Sequence, residues 1–585
     1  MDSRIIRLFA TCTGNKKPDN NKKYVVDLEN GKRVSIPIKR LKPMIQIITD
    51  LFDSKTLKSK SELQVSRANA ALILEMQKAQ SAAKLRWYGS DKLKQLSRRL
   101  KSIDKIRKVS PPKKLNAELR SYQQYGLNWL QFLRSFQLGG VLADDMGLGK
   151  TIQTLAHLAT EKQAKRLNKP CLIVAPTSLM SNWQNETQKF TPDLSSLIYH
   201  GDKRHSLVDS FANYDLIFTT YELILRDKQM FLENEFYYVV LDEAQRIKNV
   251  KAKSTQVIMQ LKADHRLCLT GTPLENHMGE LWSLFHFLMP GFLGDMSTFK
   301  TLYKNPIEQY DRDDLKEKLS QRIKPFLLRR LKQDVVEELP PKTEITLPVA
   351  LTKKQRDVYE SIRLTMEKKV RSAISSKGFK RSQIEILEAL LRLRQTCCDP
   401  RLLKMEDTQD CNSQKLEDLL SLVETLTDEN RKILLFSQFT SMLKLIEDEL
   451  KQRQLSYVKL TGQTKNRTEV IDKFQRGEAQ IFLISLKAGG VGLNLTQADT
   501  VIHYDPWWNP AVEDQATDRS HRIGQDKPVF VYKLIAKGTV EETIQTLQQK
   551  KKKLIDSLFS TQKNAQLKLS EQELKALFQP ISSSV

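Results

Sequence analysis

Residues 140–151, GVLADDMGLGKT, constrain this chain more than any other stretch. The apolar run ending in Val141, Leu142 and Ala143 has the character of a buried parallel strand. It gives way to a turn bearing Gly147 and Gly149, and Ile152, Gln153, Thr154 and Leu155 then open a helix. A strand, a glycine turn and a helix in that order wrap main-chain N–H groups around an anion, and the helix start adds partial positive charge. In such a loop Lys150 reaches the β- and γ-phosphates and the Thr151 hydroxyl holds Mg²⁺, so ATP with Mg²⁺ is the expected ligand. Asp144 stands where the strict pattern has glycine. Read alone, GLGKT is also compatible with an ordinary glycine turn before a helix. The rest of the chain decides between the two.

From about residue 119 apolar strands alternate with helical stretches, the pattern of βαβ units on a parallel sheet. Expected strands are 171–175, 216–219, 238–241 and 266–269, and a second alternating block supplies 432–436, 481–484 and 500–504. Between 290 and 345 and between 365 and 412 the strands are expected to stop in favour of charged, helical sequence. A long polar helix is expected over 541–559. The fold class is therefore α/β: two parallel-sheet lobes of RecA-like type with helical insertions. A small basic α+β region precedes them, with a hairpin of 24–28 and 34–38 around Asn30-Gly31 and helices over 63–84 and 93–106. The expected divisions are 1–115 accessory region, 116–290 first lobe, 291–345 protrusion and linker, 346–560 second lobe with its insertion at 365–412, and 561–585 tail.

Charge and composition narrow the class of partner. The net charge is +26, and residues 1–115 alone carry 28 Lys and Arg against 10 Asp and Glu. A basic segment of that kind suits a polyanion, most simply nucleic acid, though a merely soluble basic surface has the same balance. No run of about 18 apolar residues is present, so no membrane partner is expected. The N-terminal residues lack a secretory signal's apolar core, and the six cysteines lack CxxC spacing, which points away from zinc and disulfides. A reducing, cytoplasmic compartment is expected: nucleoid-associated in a bacterium, or nuclear in a eukaryote.

The second chemical motif is Asp242-Glu243-Ala244-Gln245, which puts two carboxylates after an apolar strand, where ligands bind in open parallel sheets. Asp242 can hold Mg²⁺ through water and Glu243 can orient the attacking water. An acidic pair after a strand is common by itself; following a phosphate loop at this distance it carries weight.

ADDMGLGKT, DEAQ and Leu269-Thr270-Gly271-Thr272-Pro273 together resemble the first lobe of a superfamily-two helicase-like motor, in the wording of the SWI/SNF-type ATPases. The second block agrees at 433–439, at 485–495, at Asp505-Pro506-Trp507-Trp508-Asn509-Pro510 and at 515–525 with its HRIGQ; 325–330 and 338–342 resemble the interlobe linker. The resemblance covers roughly 115–560. It implies Gln123 as an adenine contact, Asp144, Asp145, Met146, Gly147, Leu148, Gly149, Lys150 and Thr151 as the phosphate loop, and Gln245, Gly492 and Gln515 as further nucleotide-site residues. It implies Arg519 and Arg522, three apart and so on one helix face, as arginine fingers on the γ-phosphate; an exposed arginine pair in ion pairs is the plainer alternative. Thr177, Ser178, Thr219, Thr220, Lys487, Asn494 and Trp507 are expected at the nucleic acid, the hydroxyls on phosphates. Trp507 and Trp508 can stack on bases or pack a loop, and packing is favoured for at least one.

Some residues depart from the family pattern. Ser121 stands where proline is usual, Asp145 where glutamate is usual, and DEAQ replaces DEAH or DEGH, so Gln245 can hydrogen-bond across the cleft but cannot titrate. The wording is most like the bacterial branch, but no Cys/His cluster of a zinc module accompanies it. The implied function is an ATP-dependent translocase on double-stranded DNA that remodels DNA-bound proteins. The rivals are a strand-separating helicase, an ATPase that recycles RNA polymerase, a restriction-enzyme motor subunit, and a scaffold with a degenerate site.

Overall fold

The computed structural model describes residues 23–27, 33–37, 106–271, 278–310, 312–336, 339–378, 381–403, 405, 408, 411–489, 495–559 and 578–580. The expected helices at 63–84 and at 93–105, the Asn30-Gly31 turn, Thr272-Pro273, Gly492 and Asn494 lie outside these residues, as do nearly all of the tail 561–585. In the N-terminal region β1 (Lys23–Asp27) pairs antiparallel with β2 (Arg33–Pro37), Val25 opposite Ser35.

Two compact units make up the chain. The first comprises Met1–Asp144 and Gly149–Arg329; the second comprises Arg330–Val585 together with the four residues Asp145–Leu148.

The first unit is built on a seven-stranded parallel sheet. Its strands are β3 (Gly140–Leu142), β4 (Cys171–Val174), β5 (Ser196–Ile198), β6 (Leu216–Thr219), β7 (Glu235–Asp242), β8 (Lys262–Leu269) and β9 (Leu327–Leu328), in the order β5-β6-β4-β7-β8-β3-β9. β3, β4 and β6 are buried along their whole length, which is why they read as unbroken apolar runs: both faces of a parallel sheet are covered. Helices α1 (Ser121–Ser135), α2 (Lys150–Gln163) and α3 (Thr177–Phe190) supply part of that cover. α2 starts at Lys150, two residues before the expected Ile152, because Gly149 takes the left-handed conformation (φ 76°) and caps it.

The second unit holds a six-stranded parallel sheet of β10 (Lys342–Val349), β11 (Ile433–Ser437), β12 (Tyr457–Leu460), β13 (Ile481–Ser485), β14 (Thr500–His503) and β15 (Val529–Ala536), in the order β10-β15-β14-β11-β13-β12. Its two faces are sorted by alternation. Ile433, Leu435, Ile481, Leu483 and Ile502 enter one core, and Leu434, Phe436, Phe482, Ile484 and Val501 enter another. Helices α4 (Lys353–Lys377), α5 (Gln383–Cys398) and α6 (Gln414–Asp428) lie between β10 and β11; α7 (Pro510–Thr517) follows β14, and α8 (Val540–Phe559) follows β15. α4, α5 and α8 share a third core with Tyr359, Leu393, Cys397 and Ile544 at its centre.

The expected strand-free interval 290–345 needs correcting. Leu327–Leu328 pairs with Val141–Leu142 in the first sheet, and β10 begins at Lys342 and pairs in parallel with β15. β10 sits at the edge of its sheet, with only Val349 of its eight residues buried, so its sequence KTEITLPV alternates polar residues and tolerates Pro348.

Candidate active site

The glycine loop and the acidic pair occupy neighbouring strand ends of the first sheet, with only β8 between β3 and β7. Gly147 and Gly149 have φ of 86° and 76°, values that side chains with a Cβ adopt only under strain. A Cβ on Gly149 would stand 2.6 Å from the Gln123 amide nitrogen, so glycine here lets α1 bring Gln123 against the loop. Gln123 is held by its own helix start: its Oε1 accepts the Arg120 N–H at 3.0 Å. Lys150 Nζ donates to the Asp144 carbonyl at 2.6 Å. The Asp144 side chain is fully buried and accepts from the Gln153 amide at 3.1 Å, so it serves the loop by bracing it on α2. Thr151, in the first turn of α2, is half-buried.

At the end of β7 the carboxyl of Asp242 accepts the Trp183 indole N–H on Oδ2 (2.8 Å) and the Glu243 N–H on Oδ1 (2.9 Å). Tyr221 donates to the Asp242 carbonyl at 2.7 Å. Burial first, and then the neighbouring Glu243 charge, push the Asp242 carboxyl up from 3.8 to about 7, while the indole and the nearby Lys150 charge draw it down. Two carboxylates forced together in a low dielectric are what a divalent cation relieves. These residues fit the Mg²⁺ that the resemblance implies; Asp242 and Thr151 are the side chains that would hold it. Glu243 has φ 49°, left-handed for a residue with a side chain, a strain of the kind that gathers at functional sites.

Gln245 makes two side-chain contacts within the first unit. Its Nε2 donates to Glu243 Oε2 at 2.8 Å and its Oε1 accepts the Thr270 hydroxyl at 2.9 Å, so a chain of three side chains within the first unit fixes the Glu243 carboxylate. The amide, which has both N–H donors and an accepting carbonyl, joins an anion to a hydroxyl without titrating.

The arginines Arg519 and Arg522 do not share a helix face. α7 ends at Thr517, and the chain continues in tight turns in which Arg519 N bonds Ala516 O and Arg522 N bonds Ser520 O. The turns are pinned from outside: the Gln525 amide donates to the Thr496 and Ala498 carbonyls, 2.8 Å each, and the Ser520 hydroxyl to Ala498 O. Arg519 is buried and Arg522 half-buried. Beside them Lys332, itself buried, donates to Asp518 Oδ1 at 2.6 Å and to the His521 carbonyl, and His521 Nε2 lies 3.0 Å from Pro340 O. Asp145 belongs to this unit too: its N–H donates to Arg330 O (3.0 Å) and its carboxylate accepts Lys332 N–H (3.1 Å). Of the remaining loop residues, Met146 is half-buried and Leu148 buried, and Gln515 lies half-buried on α7.

The expected nucleic-acid residues divide. Thr177 is exposed in the first turn of α3, a position open to a phosphate. Ser178 lies beside it on α3, and Lys487 lies in the short helix Leu486–Gly489; only their backbones are described. Thr219 and Thr220 correct the expectation that their hydroxyls face the ligand: both residues are buried, and Thr220 Oγ1 accepts the Leu223 N–H to cap a helix. Trp507 and Trp508 are half-buried and pack against two of the second unit's cores. Sequence reasoning missed Trp183 and Lys332, and it grouped Tyr221 with the phosphate-holding stretch 219–221, whereas its hydroxyl donates to the Asp242 carbonyl. A tryptophan within α3 reads as core.

A parallel sheet with a glycine loop after one strand and an acidic pair after another defines the nucleotide-binding unit of a P-loop NTPase. The SNF2-related domain profile matches residues 122–402, and that of the helicase conserved C-terminal domain matches 414–524. The chain is 42% identical over 503 residues to a putative ATP-dependent helicase/translocase of Bacillus subtilis, covering 84% of this chain and 54% of the relative. It is 36% identical to an ISWI chromatin-remodeling complex ATPase of Saccharomyces cerevisiae, covering 79% of this chain and 42% of the relative. Among solved structures, the Sulfolobus solfataricus SWI2/SNF2 ATPase core in complex with dsDNA is 38% identical, covers 82% of this chain and 100% of that chain, and has a TM-score of 0.41. The chain belongs to the SNF2-related, SWI/SNF-type family of superfamily-two ATPases. It spans about half the length of the curated relatives it matches.

Proposed function

We propose that this chain hydrolyses ATP to move along double-stranded DNA and to remodel protein–DNA complexes on it. The observation that carries the reading is the first unit's hydrogen-bonded chain of Asp242, Glu243, Gln245 and Thr270, with the Lys150 charge acting on Asp242, in a family of nucleic-acid motors. Relatives named for helicase or translocase activity and for chromatin remodelling support the direction of that reading.

In this reading Gln123 orients the base, the loop N–H groups and Lys150 hold the phosphates, and Thr151 and Asp242 hold Mg²⁺. The metal, when bound, neutralises charge that develops on the phosphate oxygens. Glu243 holds and polarises the attacking water, and Gln245 and Thr270 keep its carboxylate from rotating away. Arg519 and Arg522 act, as the family resemblance implies, as arginine fingers on the leaving γ-phosphoryl group, a contribution of about 10³–10⁵ in turnover for such fingers. Main-chain and hydroxyl contacts such as Thr177, with Lys487 and Asn494, grip the phosphate backbone without reading sequence. The basic residues 1–115 add sequence-independent attraction.

The test is steady-state ATP turnover with no nucleic acid, single-stranded DNA, duplex DNA and RNA, with Lys150→Ala as blank. Stimulation by duplex DNA that the variant lacks is the expected result. Preference for single strands, with unwinding of a forked duplex, replaces the reading with a strand-separating helicase, which the helicase/translocase name of the Bacillus relative also accommodates.

A further inference from the structure

The loop Asp505-Pro506-Trp507-Trp508 is held by side chains from three helices, and one of them lies far away in sequence. Arg394, on α5 and 3% exposed, donates from Nη2 to the Pro506 carbonyl. The same nitrogen lies 3.6 Å from Asp505 Oδ2. Its guanidinium carbon stands 5.7 Å from the Trp507 ring centre, 5.8 Å from Trp508 and 5.9 Å from Phe439. One planar cation thus neutralises the buried carboxylate, takes the loop carbonyl and packs against both indoles, which a lysine ammonium cannot do at once. From α8, Gln548 donates to the Trp507 carbonyl and, at 2.7 Å, to Glu513 Oε1 on α7, which itself accepts the Trp507 N–H at 2.6 Å. On its far side Asp505 Oδ1 accepts the Ser437 hydroxyl (2.6 Å) and the Gln438 N–H (3.3 Å). The loop is therefore stitched to the end of β11, and both indoles keep part of their surface in solvent.

We propose that Arg394 is a positioning residue that fixes Trp507 and Trp508 in the orientation through which duplex DNA stimulates ATP turnover. The inference rests on the DNA-stimulated ATPase proposed above. The contacts of Arg394 named above all lie within the second unit, at this loop and at Phe439, so its task is the loop rather than basal hydrolysis. A guanidinium that only stabilised the fold would lower basal and stimulated turnover together.

The experiment compares the full chain with Arg394→Met, Arg394→Lys and Gln548→Leu. Turnover is read without DNA and against duplex concentration, beside acrylamide quenching of tryptophan emission. Arg394→Met is expected to keep basal turnover within about twofold, lose roughly tenfold of the duplex-stimulated kcat and raise the duplex KM. Its indole quenching rises as the tryptophans loosen. Arg394→Lys recovers part of the loss through its charge, and Gln548→Leu shows a smaller loss of the same kind. If Arg394→Met does not fold, the other two variants decide, and unchanged stimulation in both overturns the inference. It is also overturned if basal and stimulated rates fall in parallel with melting temperature. A wild-type chain that duplex DNA does not stimulate overturns the motor reading itself, which is distinguishable from a stimulated wild type with an equally stimulated Arg394→Met.

Discussion

Asp242 and Asp505 invite comparison. Asp242 is the last residue of the parallel strand β7 in the first unit and Asp505 stands two residues after the parallel strand β14 in the second, and burial raises the carboxyl of both. Their surroundings differ in sign. The next influence on Asp242 is another carboxylate, Glu243; the next on Asp505 is the Arg394 guanidinium at 3.6 Å. The second unit has already neutralised its strand-end acid with its own chain, and the first has left the charge to be met by something that binds. Equivalent positions in related sheets thus become a ligand site or a structural pin according to one neighbouring charge.

The comparison breaks most visibly at Asp242→Asn. Turnover should fall roughly a thousandfold, the several kcal/mol a metal contact contributes, while the melting temperature holds or rises. Calorimetry that shows marked destabilisation would put Asp242 in the same class as Asp505. Asp505→Ala should cost about 3 kcal/mol or more of stability, because Arg394 is left buried without its counter-charge; denaturant unfolding of the second unit reads it, and a neutral result removes the contrast.

The next effect is a pH dependence. A carboxyl raised from 3.8 to about 7 on folding makes the folded state bind its proton more tightly than the unfolded one. Stability from this group is therefore full below about pH 4 and declines as pH rises to about 7. Denaturant midpoints should show Asp242→Asn gaining on wild type across that window, by several kcal/mol at its upper end at about 1.4 kcal/mol per pH unit. A constant difference from pH 4 to 8 would mean the acidic pair is not strained. The smallest effect sharpens the first unit's side of the comparison. Gln245→Ala and Thr270→Ala should each lower kcat about tenfold with little change in nucleotide affinity, and the double variant should lose little more than either. Additive losses would show that Gln245 and Thr270 act on Glu243 separately.

The chemistry was more legible in the sequence than the geometry. Lys150, Asp242 and Glu243 stand where strand, turn and helix signals place them, because both motifs are local and their strands are buried on two faces. The edge strands hid for the opposite reason: β10 exposes alternate polar residues, and β5 is three residues long. Spacing put Arg519 and Arg522 on one helix; α7 stops short of both because Gln525 and Ser520 tie that segment to the 496–498 turn, a contact spacing does not encode. Thr219 and Thr220 were chosen for their hydroxyls, but burial and a helix cap claim them. Arg394 was invisible, since an arginine in LRLRQT reads as the solvated face of a helix until the fold carries Pro506 to it across 112 positions.

The pairing of Lys342 with Val529 has a consequence for how this protein is made. On the ribosome β10 emerges long before β15, its sheet neighbour among the described residues, and at 5–20 residues per second the delay is roughly ten to forty seconds. During that time the strand offers unpaired N–H and C=O groups to any other nascent chain. The charges Lys342 and Glu344 at its start and Pro348 near its close act as gatekeepers over that interval. The six-stranded sheet is sealed last by its own C-terminal portion, so a chain truncated before Val529 leaves β10 without its sheet partner.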